Sequence, residues 1–132
     1  MNANDVKNYI IKHLEKLNDI KFNFENTDDE SKYQIEVTHN TLTNASANEF
    51  TLTIRTPKNE SKEIADKNTK KIADKLNNDY FIIFIDSQEI GNSYYEYKYT
   101  LKVPDNGDRL KAIQRGEQRY LSNIINKKEK DN

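Results

Sequence analysis

Phe50-Thr-Leu-Thr-Ile-Arg-Thr-Pro57 alternates apolar and polar residues with a period of two and then meets a proline. Phe50, Leu52 and Ile54 fall on one side of an extended chain, and Thr51, Thr53 and Arg55 on the other. That is the pattern of a strand with one face on a core and the other in water. Pro57 has no N–H to give to a ladder, so the strand ends there. Upstream the same period returns twice, in Ile20, Phe22 and Phe24 and in Tyr33, Ile35 and Val37. Downstream it returns in Tyr95, Tyr97, Tyr99, Leu101 and Val103, within Tyr94–Val103. Tyr80–Ile85 is apolar at every position, which predicts a central strand covered on both sides.

Between and around these strands the period lengthens. Val6, Ile10, Leu14 and Leu17 make one stripe and predict a helix over 5–18, with Asp5 as its N-cap. Ile64, Ala65, Asn68, Ile72 and Leu76 predict a second helix from about Asn59 to Leu76, stopped by Asn77-Asn78. A third is predicted over about 108–126, where Leu110, Ile113, Tyr120, Leu121, Ile124 and Ile125 lie near one stripe and Gly116 is a weak point. The order is α-β-β-β-α-β-β-α. The expected fold is α+β, a single mixed, mostly antiparallel sheet of about five strands with three helices. Residues 1–126 form one domain in this reading, and 127–132 a charged, frayed tail. Asn26–Ser31 is short enough to close a hairpin, whereas His39–Asn48 is long, polar and unpatterned and is expected to project from the body.

Composition narrows the function. The chain has 132 residues, 34% hydrophobic and 33% charged, with a net charge of -1. The core is therefore lean, but clustered apolar residues and weak self-repulsion argue for folding. There is no cysteine, hence no disulfide and no thiolate metal site. The N-terminus shows no secretory leader pattern and the longest apolar run is Tyr80–Ile85, so a cytoplasmic setting is expected and the Asn-X-Ser matches at Asn44 and Asn59 carry no weight. Heavy use of Lys, Asn and Ile suits an AT-rich bacterial or phage coding sequence.

Chemistry-bearing patterns are scarce. Gly91, Gly107 and Gly116 are the only glycines, so neither a dinucleotide fingerprint nor a P-loop can be written. His13 and His39 are the only histidines and read as packing or surface residues. Asp28-Asp29-Glu30 lacks the spacing of a calcium loop and reads as a charged turn. The reading is a non-enzymatic chain without a cofactor, metal or small-molecule substrate, with no membrane partner and no nucleic acid. Tyrosines spaced by two in Tyr94–Tyr99 could stack bases, yet they suit the inner face of a half-wet sheet better.

A chain without chemistry works through surfaces. The candidates for an assembly interface are Thr41, Leu42 and Asn44 in the long loop, Asp28, Asp29 and Glu30 in the acidic turn, and Arg109, Arg115 and Arg119 in the last helix. Arginine suits bidentate contact with carboxylates across an interface, so the last helix of one copy could meet the acidic turn of the next.

The element order over residues 4–103 resembles the phage tail terminator family. The stretch Phe50 to Pro57, the helix running to Leu76 and the later Tyr95-Glu-Tyr-Lys-Tyr-Thr-Leu-Lys-Val103 carry the resemblance. It implies a homo-oligomeric ring that caps a tail tube and joins it to the head, contacts with other virion proteins, and a place in the virion or the bacterial host cytoplasm. Asp105–Asn132 departs from the short members of that family and leaves open another neck or tail role. The same element order resembles the secretion-chaperone fold, a binding module for an extended peptide. A small phage-encoded inhibitor of a host defence system also fits size and composition.

Overall fold

The computed structural model describes residues 2–25, 29–40, 49–91 and 93–103. Of the projecting loop expected at His39–Asn48, residues 41–48 lie outside them, as does the third helix expected at 108–126; His39 is described and, contrary to that expectation, is the last residue of a strand.

Helix α1 (Ala3–Leu14) starts earlier than its stripe suggested. Asn2 is the N-cap: its side chain accepts from the Asp5 amide at 2.9 Å, and the Asp5 carboxylate reaches back to the Asn2 amide at 3.3 Å. Asp5 is thus the inner member of a capping box rather than the cap. Val6, Ile10 and Leu14 are buried as the spacing requires, and Tyr9 joins them.

Five strands follow in one sheet: β1 (Phe22–Asn23), β2 (Tyr33–His39), β3 (Glu49–Arg55), β4 (Phe81–Ile90) and β5 (Tyr94–Lys102). Helix α2 (Lys62–Leu76) connects β3 to β4. The spatial order is β1-β2-β3-β5-β4. All neighbours are antiparallel except β1 and β2. The fold is α+β with a mixed sheet, as expected, and the described residues contain two helices.

Parity sets the core. Ile35 faces Ile54, Val37 faces Leu52, and Leu52 faces Tyr99 across adjacent strands. These side chains share one face with Phe50, Tyr97 and Leu101, and all are buried. α1 packs over β2, and α2 packs against α1 and β5, on this face. Thr51, Thr53, Lys98, Thr100 and Lys102 take the opposite face by the same register.

Three expectations are corrected. The turn near residue 29 does not close a hairpin: β1 runs parallel to β2, with Phe22 beside Tyr33 and Asn23 beside Gln34. Alternation specifies faces but not direction, and here Phe22 settles by stacking on Phe24 at 5.3 Å and leaning on Tyr33. In α2, capped by Ser61, the buried face is Ala65, Thr69, Ile72 and Leu76, and Ile64 is exposed. Thr69 tolerates burial because its hydroxyl donates to the Ala65 carbonyl at 2.8 Å. Finally, the apolar run ending at Ile85 is not the middle of the sheet. Its strand, β4, is an edge, and β5 holds the interior place.

Candidate assembly surfaces

Among the described residues, β4 is paired along β5 only. The hairpin joining them turns at Gly91, whose φ of 61° is a conformation that glycine adopts without strain. Its ladder puts Ile82 beside Leu101 and Phe84 beside Tyr99 on the helix side. Phe81 beside Lys102 and Ile83 beside Thr100 therefore lie on the opposite face. A register shift between Phe84 and Asp86 bulges the strand around Ile85. Beyond it the partners become polar, with Asp86 beside Lys98 and Gln88 beside Glu96.

Among the described residues the apolar half of β4 is covered only at Ile82, which packs against the core; Phe81, Ile83, Phe84 and Ile85 are exposed. Phe81 is 62% exposed and Ile83 45%, on a face otherwise made of polar and charged residues. Phe84 is 53% exposed on the helix side, touching Tyr99 at 5.3 Å between ring centroids. Edge strands of folded domains are usually blunted by charge, proline or cover. Phe81–Ile85 has no charged residue or proline of its own.

A second, polar surface lies beside the end of β3. Arg55 Nη2 is 3.1 Å from Glu96 Oε2 and the guanidinium sits over the Tyr94 ring at 5.3 Å. Lys58 Nζ approaches Glu30 Oε2 at 3.7 Å, while the Lys58 amide donates to the Glu30 carbonyl at 2.8 Å. Between these groups is a recess of about 50 Å³, lined by Glu30, Gln34, Arg55, Thr56, Lys58 and Tyr94. Small-molecule sites hold roughly 300–1,000 Å³, so this hollow suits a side chain from a neighbouring surface better than a metabolite.

The residues singled out from sequence are partly placed. Asp29 and Glu30 stand on the turn before β2. Asp29 accepts from the Ser31 hydroxyl and, at 3.0 Å, from the Ser31 amide, and Lys32 lies 3.6 Å away. Those hydrogen bonds to Ser31, aided by Lys32, hold its carboxyl below the usual carboxylate range. Asp29 is committed to its own turn, whereas Glu30 faces the recess. Asp28, Thr41, Leu42, Asn44, Arg109, Arg115 and Arg119 lie outside the described residues.

His13 Nε2 sits 2.8 Å from Asp79 Oδ2, with the Tyr9 ring edge-on at 4.6 Å. His39 stacks on Phe50 at 4.9 Å. Both histidines are thus engaged in packing and local pairing. Among the described residues no three His, Asp or Glu side chains gather in a way that could hold a metal ion, and no helix is long and apolar enough to cross a membrane. The tyrosines of β5 divide by parity. Tyr97 and Tyr99 are buried beneath α2, with the Tyr97 hydroxyl donating to Asp66 at 2.5 Å, so their rings offer no stacking surface.

Sequence reasoning missed the exposure of β4 and the Arg55–Glu96 pair. The first had a visible but misread signal in the apolar run. The second joins residues 41 positions apart and had none. Comparison with protein-family models, curated proteins and solved structures finds no match for this chain.

Proposed function

We propose that this protein is a non-enzymatic subunit that assembles with copies of itself, as a phage tail terminator or head–tail neck component does. The observation that carries the reading is the edge strand β4. It offers unpaired backbone groups along ten residues, with Phe81 and Ile83 projecting from an otherwise polar face. Such an edge is a template for another chain. The element order from α1 to β5 supports the family resemblance.

An edge strand that meets its own copy gives twofold pairs. Closing a ring takes a second, different patch, and the charged surface around Glu30, Arg55 and Lys58 supplies one. In this reading Glu30 and Lys58 set register at the rim, where charge pairs act mainly on specificity and association rate.

Light scattering of the full chain at matched concentrations tests the proposal. Wild type should exceed the monomer mass, and Phe81→Lys with Ile83→Lys should return it to monomer with an unchanged circular dichroism spectrum. A wild type that stays monomeric at high concentration and beside virion partners overturns it. The same edge favours a second reading, a chaperone-like module that adds an extended peptide as a sixth strand. A monomer that binds such a peptide, and loses it through the same two substitutions, would establish that reading instead.

A further inference from the structure

β4 changes character at its bulge. Before it, Phe81, Ile83, Phe84 and Ile85 are exposed, and Ile82 packs on the core between them. After it come the acids of the strand, Asp86 and Glu89. Among the described residues, the outer edge of β4 has no strand beside it. A bulge bends its strand and raises the local twist, so a straight partner strand can follow this edge only as far as Ile85. We infer that the partner is the β4 of a second copy, antiparallel to the first, with the twofold axis passing through Ile83. The inference rests on the self-assembly reading and gives it a register.

Symmetry and charge select that register. In-register parallel pairing would set Asp86 against Asp86 and Glu89 against Glu89, and like charges directly opposite are destabilising. A twofold axis normal to the sheet makes the two edges antiparallel and joins like faces of the two copies. Opposed residues of an antiparallel pair share a face, so the axis must pass through a residue rather than between two. An axis at Ile82 sets Ile85 of one copy against Asp79 of the other. An axis at Phe84 sets Ile82 against Asp86 and Phe81 against Ser87. The axis at Ile83 opposes Ile83 to itself, Ile82 to Phe84 and Phe81 to Ile85, so every residue of the run meets an apolar one. The acids then fall outside the seam. Lys102 lies beside Phe81 and Lys98 beside Asp86 on the same face. With strands about 4.8 Å apart and residues about 3.4 Å apart along them, Asp86 of one copy comes diagonally to about 10 Å from Lys102 of the other, Cα to Cα. Opposite charges thus bracket the apolar seam at both ends.

The chain has no cysteine, so single cysteines report the register in the full-length protein. Ile83 is half exposed, and Ile83→Cys leaves the core intact, with circular dichroism as the check. Under mild oxidation it should form a disulfide-linked dimer in most molecules. Directly opposed side-chain carbons lie about 4.5–5.5 Å apart, close to the roughly 3.5–4.5 Å of a disulfide. Gln88→Cys, exposed on the same strand, should form no such dimer. Its two copies lie on opposite sides of the axis, about 34 Å apart along the strands. In an independent measurement, nitroxide labels on Gln88→Cys should give one spin–spin distance near that value, and moving the axis by one residue would change it by about 7 Å.

The outcomes separate the two readings. A wild type that stays monomeric by light scattering at every concentration overturns self-assembly and this inference together. An oligomer in which Ile83→Cys stays unlinked overturns the register alone. So does an oligomer in which Gln88→Cys links to itself, or in which the label distance is displaced by about 7 Å or more.

Discussion

Tyr80 sits directly before β4 with its ring 5.7 Å from that of Tyr9, only 3% exposed, and its hydroxyl meets no hydrogen-bond partner among the described residues. A buried donor without a partner keeps its full desolvation cost. Tyr80→Phe removes the orphan and preserves the ring, so it should raise unfolding stability by about 1 kcal/mol, read from the urea midpoint at constant slope. A loss of similar size would show that the hydroxyl does bond in solution. Glu96 presents the opposite case, a buried carboxylate with Arg55 at 3.1 Å and Lys98 at 3.9 Å. Both cations are nearly half-exposed and remain hydrated when the acid is neutralised. Glu96→Gln should therefore cost no more than about 1 kcal/mol, with a smaller salt dependence of stability than wild type. A cost several times larger would mean that this pair holds the β3–β5 ladder in register.

Among the strands, position in the sheet decides what a substitution does. Leu101 on β5 is fully buried, and Leu101→Ala should cost about 2–5 kcal/mol. Ile83, one strand further out, is half exposed, and Ile83→Lys should change monomer stability by less than about 0.5 kcal/mol while weakening self-association. Chemical denaturation and sedimentation of both variants separate the two effects. Equal losses of stability would mean that Ile83 is covered in the monomer. The same contrast explains what the sequence revealed. In β3 and β5 the alternation of apolar and polar residues was legible because one face is packed and the other wet. The run ending at Ile85 has apolar residues on both faces, a pattern shared by a sandwiched central strand and by an edge awaiting cover. Hydropathy cannot distinguish these, because it records what a residue prefers and not what surrounds it. For β1 the faces were legible and the direction was not. Among the candidate interface residues, Asp29 and Glu30 were legible as a charged turn. The recess that Glu30 shares with Arg55 and Lys58 depends on tertiary placement.

At the scale of the whole molecule, four tyrosines tie stability to alkaline pH. Burial raises Tyr33, Tyr80, Tyr97 and Tyr99 above the ordinary phenol value, with Glu60 reinforcing Tyr33 and Asp66 reinforcing Tyr97. The folded state thus keeps protons that the unfolded chain releases near pH 10. Their contribution is complete below about pH 10 and is lost as pH rises above it, by up to about 1.4 kcal/mol per pH unit for each tyrosine. Stability should be insensitive to these groups at neutral pH and fall steeply above pH ~10, with tyrosinate absorbance and circular dichroism changing together. Tyrosinate appearing well before unfolding would contradict the burial of these hydroxyls. The strand order has a different consequence, one for synthesis. β5 is the last of the described strands in sequence yet lies between β3 and β4, so Leu52 waits for Tyr99 and Phe84 waits for the same residue. A ribosome adding roughly 5–20 residues per second exposes Phe81–Ile85 before any strand exists to receive it. A nascent chain stalled between β4 and β5 presents that apolar stretch without its partner strand, making this interval the one in which the protein most needs a chaperone.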